Sequence, residues 1–495
     1  MVIRKGGKDM MIGRTREQRE LQNVIDSDKS EFVAVFGRRR VGKTFLVRET
    51  CHYRFAFEHT GLKNFTMTAD GVQVPVRDAM KRQLREFHRS LQRYGCKKRA
   101  APKDWYAAFH LLEDVLEEQE PGRKVVFLDE CPWMDTPRSE FLGALDHFWN
   151  GWCTMRKDIV LIICGSAASW ILNKIEGDVG GLHNRVTRHV YLRPFSLCEC
   201  EEFVRAKGHV MTRDQIVEGY MVFGGIPYYW DVLSPDMSLA QNIDRLLFSG
   251  RGELANEYEH LYVSLFRKPA PYVSIIRALG TRRRGLTREE IGRLTGLPLN
   301  GDLTEMLKVL EQCDFIRTYA TPGKVSRGRL YQLIDNFTLF YFKFVEGHAG
   351  RTPDFWTASQ TSQSVRSWCG FAYERVAMLH VEEIKRALGI SGVVTRIYGW
   401  NYEAESEDDE GGQIDLVIER DDRVTNLCEV KYRKGLFAID DDYALKLQTR
   451  RERYIEETGT DDAVHLTMIT TNGIARNAHR CDIQSEVTLD DLFRT

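Results

Sequence analysis

At 495 residues the chain is longer than one ordinary hydrophobic core organises, which sets an expectation of about three domains. The 70 Lys and Arg balance 71 Asp and Glu to a formal net charge of -1, excluding a whole-molecule field that would draw the chain to nucleic acid or membrane. A 43% hydrophobic and 11% aromatic composition excludes global disorder.

The opening segment, "MVIRKGGKDMMIGRTREQRE", has no apolar signal-like core, and no window approaches a membrane-spanning length. A soluble, cytoplasmic protein with no membrane partner is expected. Eleven cysteines include no CxxC pair; Cys198 and Cys200 lack a matching second pair, so they read as reduced thiols.

The segment "EFVAVFGRRRVGKTFLVRET" predicts a buried strand over 32–36, a glycine-bounded turn, and a helix starting near Gly42. This is the strand, loop and helix context that the GxxxxGK[ST] pattern requires. Gly37 and Gly42 allow backbone N–H groups to close around phosphates at a helix N-terminus. Lys43 would reach the β and γ phosphates of ATP, and Thr44 would offer its hydroxyl to Mg²⁺. Arg38, Arg39, Arg40 and Val41 fill the variable loop positions, and Phe45 follows the motif; all count among the candidate nucleotide contacts.

The basic stretch "KRQLREFHRSLQRYGCKKR" falls in a region, 52–101, with no assignable motif. Its helical spacing fits a solvated cationic face before a nucleic-acid contact. Next, "GRKVVFLDECPWMD" predicts a buried parallel strand over 125–128. Asp129 at its end is placed to hold Mg²⁺, and Glu130 to polarise the attacking water. A third buried strand, "DIVLIICGSAASW", ends at Gly165 and Ser166, a candidate γ-phosphate sensor. In "GGLHNRVTRHVYLRPFS", Arg185 and Arg188 are candidates to reach a phosphate, in cis or from a neighbouring copy in a nucleotide-dependent homo-oligomer.

In order, "MIGRTREQREL", the glycine loop, "FLDE", "CGSAAS", "GGLHNRVT", "RPFS" and "GGIPYYW" resemble archaeal and bacterial P-loop ATPases of the STAND and AAA+ group, over about residues 11 to 235. The resemblance implies that Ile12, Gly13 and Arg14 lie near the adenine. It also implies that "GGIPYYW" falls in a helical lid, with Pro227 near the nucleotide.

Farther on, Thr287 and Glu290 form a capping box that starts a helix ending near Gly296. A second helix, "GDLTEMLKVLEQCDF", puts Leu303, Met306, Leu307 and Leu310 on one face, and "FIRTYATPGKVSRGRLYQLID" reads as strand, turn, strand. The pattern is that of a winged helix-turn-helix. Its second helix carries Asp302, Glu305, Lys308 and Glu311, a poor surface for phosphate; Arg282, Arg283 and Arg284, with Lys324, Arg327 and Arg329, are better placed. DNA contact and protein docking both fit this module.

In "GGQIDLVIERDDRVTNLCEVKYRKG", Asp415 lies in one apolar strand, and Glu429 and Lys431 end the next, on the same face because they are two apart. The turn "ERDDRVT" predicts a hairpin that sets Asp415 beside that pair. Two carboxylates then make an oxygen site for Mg²⁺, with Lys431 orienting water at a phosphodiester. Glu374, on the helix of "FAYERVAMLHVEEIKRALG", approaches the same place. This region, about 365 to 495, resembles the PD-(D/E)xK nuclease superfamily. The resemblance implies Glu374, Asp415, Glu429 and Lys431 as its site, with Gln413 a neighbour and DNA as partner. The acidic run "EAESEDDE" at 403–410 would repel a DNA backbone close by.

The expected architecture is α/β: an ATPase core over 1–200, a helical lid over 201–260, a winged helix over 261–345 and a restriction-endonuclease-like domain over 346–495. Two functions follow as expectations. One is an ATPase whose nucleotide state controls a DNA-directed nuclease-like domain. The other is an ATP-dependent switch whose nuclease-like domain is catalytically inactive.

Overall fold

The computed structural model of the chain describes residues 2–5, 8–67, 73–165, 170–171, 182, 184–266, 268–320, 329–348, 350, 352–402 and 412–494. It divides into two compact units, Met1–Pro194 with His260–Pro269, and Phe195–Glu259 with Ala270–Thr495.

The first unit is built on five parallel strands, β1 (Glu31–Gly37), β2 (Phe57–Thr60), β3 (Lys124–Asp129), β4 (Ile159–Gly165) and β5 (Arg188–Leu192), in the spatial order β2-β3-β4-β1-β5. A parallel sheet is covered on both faces, so its inner strands carry unbroken apolar runs rather than alternation. Every residue of β1, β3 and β4 is buried accordingly. The order inserts β4 between the strand that feeds the glycine loop and the strand that carries Asp129. The carboxyl ends of β1, β3 and β4 therefore meet along one edge, where ligands of open α/β sheets bind.

The motif-free region supplies the edge strand β2 and the helix Ala79–Arg93. That helix buries Gln83, Leu84, Phe87, His88 and Leu91 and turns Lys81, Arg82, Arg85 and Arg89 outward, the solvated cationic face its spacing indicates.

The second unit begins with capped helices. Ser196 with Glu199 and Thr212 with Gln215 close capping boxes on Leu197–Ala206 and Arg213–Phe223. These helices are tied to the C-terminal half of the unit. The Leu197 N–H donates to His380 Nε2, Asn336 donates to the Tyr220 carbonyl, and Tyr229 packs on Phe337. The Asp244 carboxylate accepts from the backbone of Trp356 and Thr357. The helices after Pro194 and the C-terminal half fall in this one unit.

Within this unit, the helices Arg288–Thr295 and Gly301–Gln312 stand beside a small antiparallel sheet of β6 (Leu286–Thr287), β7 (Ile316–Ala320) and β8 (Arg329–Leu333), ordered β6-β8-β7. The Thr287–Glu290 capping box forms, and Gly296 ends its helix in the left-handed region. Lys324 and Arg327 lie outside the described residues. The aromatic run that follows packs Phe340 and Phe344 against Trp356 and Trp368, a core joining this sheet's module to the next.

The last sheet has five strands in chain order: β9 (Thr395–Tyr402), β10 (Gly412–Arg420), β11 (Val424–Lys431), β12 (Ala463–Thr470) and β13 (Ser485–Thr488). The first two pairings are antiparallel and the last two parallel. The helix Asp441–Thr458 connects β11 to β12, and Gln363–Leu379 packs on β11.

Candidate functional site

The loop after β1 closes on itself. Gly37 has φ near 148°, and a Cβ there would fall 2.3 Å from the Leu192 carbonyl oxygen, so only glycine allows β1 and β5 to meet at this point. Gly42 caps the helix Lys43–Thr50. Between them the Lys43 ammonium donates to the carbonyls of Gly37 and Arg38, both at 2.9 Å. This holds a positive charge at a helix N-terminus already favourable to anions. Of the variable loop positions, Arg38 is buried, Arg39 and Arg40 are half-buried and Val41 is buried; Phe45, after the motif, is half-buried.

The Thr44 hydroxyl donates to Asp129 Oδ2 at 2.9 Å, joining the loop to the end of β3. A hydroxyl and a carboxylate so placed are the donor set a Mg²⁺ ion accompanying a bound nucleotide takes, and the two residues fit that role. Asp129 is buried, and its Oδ1 accepts the Glu130 N–H at 3.0 Å. Glu130 itself sits in the left-handed region, φ 51°, as it caps the short helix Cys131–Met134. Gly61, just past β2, donates its N–H to the Asp129 carbonyl at 2.9 Å, and a Cβ on Gly61 would lie 2.6 Å from the Glu130 carbonyl oxygen. Its role went unread in the sequence because nothing in its local pattern marks it.

Ile12 and Gly13 precede the helix Thr15–Ile25, and the Gly13 carbonyl accepts from Gln18 at 2.7 Å. Arg14 is buried and donates to the Val41 carbonyl at 3.3 Å, which brings it to the glycine loop. Ser166 lies outside the described residues. Arg188 pairs with Val33 while Gly37 pairs with Leu192, so Arg188 sits at the amino end of the sheet, roughly 13 Å from the loop by register. It does not join the loop of its own chain. Arg185 precedes it, exposed. Pro227 starts the helix Pro227–Asp231, which belongs to the second unit, where Tyr229 is anchored by Glu257 and Phe337.

In the second unit the expected hairpin forms. Leu416 pairs with Cys428, which sets Asp415 beside Glu429, and the Val430 N–H donates to Asp415 Oδ2 at 3.0 Å. Glu429 is held from three sides. Its Oε1 accepts from Lys431 at 2.5 Å and from the Tyr443 hydroxyl at 2.6 Å, and its Oε2 accepts from Arg450 at 2.8 Å. Tyr443 and Arg450 stand seven residues apart on the helix Asp441–Thr458, hence on one face. Sequence reading missed both, although the acidic first turn after Asp440 and the closing Gly459 mark that helix.

These partners divide the carboxylates. Burial raises the Asp415 carboxyl well above its ordinary range, and the nearby Glu429 and Glu374 add to the rise. Burial likewise carries Glu374 up to about 7, against the pull of Lys431. Burial also opposes ionisation of Glu429, but Lys431 and Arg450 outweigh it and hold that group below its ordinary range. Three carboxylates therefore feel one another. Even so, no group of three or more His, Cys, Asp or Glu side chains among the described residues is disposed to hold a metal ion. Both oxygens of Glu429 are engaged by protein donors, Lys431 and Tyr443 on one and Arg450 on the other. Gln413 is exposed, two residues before Asp415 on β10 and so on the same face.

No helix among the described residues is long and apolar enough to cross a membrane. No protein-family model matches the chain. It is 25% identical over 441 residues to the uncharacterized protein MJECL04 of Methanocaldococcus jannaschii, covering 86% of this chain and 88% of that one. Among solved structures it is similar to the Walker-type ATPase PABY2304 of Pyrococcus abyssi, at 16% identity and a TM-score of 0.42, over 68% of this chain and 97% of that one. It is also similar to the ORC2 protein of Aeropyrum pernix, at 14% identity and a TM-score of 0.38, over 66% of this chain and 93% of the other. A third is Cdc6p of Pyrobaculum aerophilum, at 14% identity and a TM-score of 0.31, over 70% and 97%.

Proposed function

We propose that the chain binds and hydrolyses ATP at the edge where β1, β3 and β4 end, and that its nucleotide state controls a nucleic-acid-directed second unit. The observation that carries the first half is the Thr44–Asp129 hydrogen bond, set beside the Lys43 ammonium at a helix N-terminus. Lys43 and the loop N–H groups would hold the phosphates, and Glu130 would take a proton from the attacking water. Mg²⁺, held by Thr44 and Asp129, would neutralise charge developing on the transferred phosphoryl group. Arg185 would act from a neighbouring copy, since it precedes the strand that begins at the far end of the sheet.

For the second unit, the β6-β8-β7 sheet with its two helices supports a winged-helix reading, and the Asp415, Glu429 and Lys431 hairpin supports a PD-(D/E)xK-like one. A second reading, in which this domain binds nucleic acid without cutting it, is favoured by one observation: both oxygens of Glu429 are engaged by protein donors. Phosphate release from ATP, with plasmid cleavage and gel shift followed in the same samples, tests these readings. ATP hydrolysis with Mg²⁺-dependent nicking supports the first. An ATP-dependent shift without nicking supports the second, and no hydrolysis at all overturns both.

A further inference from the structure

The helix Gln363–Leu379 presents Phe371, Glu374, Arg375 and Met378 at positions i, i+3, i+4 and i+7, one continuous face. All four line a cavity of about 60 Å³, which Arg282 and Arg283 from a turn, Gln332 from β8 and Gln413 from β10 complete with polar groups. Its charge is unbalanced: three guanidinium groups face one carboxylate.

Two of these arginines, Arg283 and Arg375, are held in place by groups other than an acid. The Arg283 guanidinium lies over the Phe371 ring, 3.1 Å from its centroid. Arg375 gives Nε to Asn336 Oδ1 and Nη1 to the Phe371 carbonyl, both at 3.1 Å, while its Nη2 is shielded from solvent and has no hydrogen-bond partner among the described residues. Behind Gln332, Arg317 repeats the pattern: Nε donates to Gln332 Oε1 at 2.7 Å, and a shielded Nη2 has no hydrogen-bond partner among the described residues. Burial depresses the affinity of Arg375 and Arg317 for their protons, and Arg283 repels Arg375 further. Buried guanidinium N–H groups left over in a native fold call for a missing acceptor, and an anion is the acceptor that also relieves the repulsion.

We propose that this cavity binds a phosphate group, with Arg283 and Arg375 as its cationic walls and Gln413 as a polar contact. About 60 Å³ is room for roughly four water molecules, which suits one tetrahedral oxyanion. Guanidinium forks match phosphate oxygens in pairs. Gln413 is two residues from Asp415 on one strand face, and Glu374 lines the cavity while coupling to Asp415 and Glu429. The site therefore adjoins the carboxylate hairpin, as a neighbouring phosphate along a nucleic-acid strand would. That choice of source rests on the nucleic-acid reading above; phosphate binding itself does not.

The test uses the full chain carrying Lys43→Ala, which disables the phosphate loop of the first unit. Thermal midpoints are followed against sodium phosphate and against sodium chloride at equal ionic strength. A saturable phosphate-specific rise is expected, with affinity about tenfold or more weaker in Arg283→Gln and in Arg375→Gln. Arg283 stands on an exposed turn, so Arg283→Gln decides the matter even where the half-buried Arg375→Gln does not fold. Equal affinity in the parent and Arg283→Gln, or no rise beyond chloride, overturns the site. A short DNA duplex that displaces phosphate supports a strand phosphate as the source; phosphate binding indifferent to the duplex overturns that source. Orthophosphate binding needs no cleavage, so an uncut plasmid counts against the nuclease reading alone.

Discussion

Thr44 and Asp129 are 85 residues apart in the chain, yet the hydroxyl of one donates to the carboxylate of the other at 2.9 Å. Their meeting depends on the strand order, which aligns the ends of β1 and β3 across β4. Lys43→Ala should lower ATP hydrolysis about 100-fold or more, the scale of losing one preorganised electrostatic contact at a transition state. Thr44→Val should do the same while far-UV circular dichroism stays unchanged. Activity near the parent level in both would place the chemistry elsewhere.

Gly61 and Glu130 give a second expectation. A methyl group on Gly61 would press on the Glu130 carbonyl, which lies 2.6 Å from where its Cβ would sit. Gly61→Ala should displace Glu130 and slow turnover while nucleotide binding, read by fluorescent ATP titration, persists. Glu130→Gln should share that phenotype, with turnover down about 10²- to 10⁴-fold. Loss of binding in Gly61→Ala would mean that the whole loop moved.

Arg450 is the cation on Oε2 of a buried Glu429. Arg450→Ala should cost roughly 3 kcal/mol in urea unfolding, the low end for removing one partner of a buried pair, because Lys431 remains. Arg450→Lys should recover part of it. An unfolding midpoint unchanged in Arg450→Ala would show that water replaces the guanidinium freely.

Acid should destabilise both units through one histidine each. His380 accepts the Leu197 N–H at Nε2 and donates from Nδ1 to the Val376 carbonyl, a neutral tautomer with no place for a second proton. Burial lowers its pKa from 6.5 to about 4. Burial does the same to His59, whose Nδ1 meets Ser90 and whose Nε2 has no hydrogen-bond partner among the described residues. Each folded value lies below the unfolded one, so the unfolded state binds more protons between them. The stabilisation is complete above pH 6.5 and is lost as pH falls toward 4, on the order of 3 kcal/mol per group. His380→Gln and His59→Gln should each flatten the dependence of the urea midpoint on pH across that window; an unaltered slope would rule the group out.

Much of this was legible locally. The apolar runs of β1, β3 and β4, the Thr287–Glu290 cap and the hairpin through Asp415 are all short-range patterns, in which periodicity or a turn fixes the outcome. The short strand β2 was not, since four residues with half their side chains covered leave little pattern to read. Arg188 read as a candidate to reach a phosphate, in cis or from a neighbouring copy, and register put it at the amino end of the sheet.

The amino-acid sequence alone determined which segments become strand, loop and helix around Lys43, and which residue types could do phosphate chemistry, because backbone preferences and apolar periodicity act over a few residues. Only the tertiary structure decided that Thr44 faces Asp129, that the helices after Pro194 belong with the C-terminal half, and that Tyr443 and Arg450 hold Glu429. It alone gathered Arg283 and Arg375 at one cavity. Those relationships join segments far apart in the chain, and they are set by which apolar faces bury one another, a choice no local window contains.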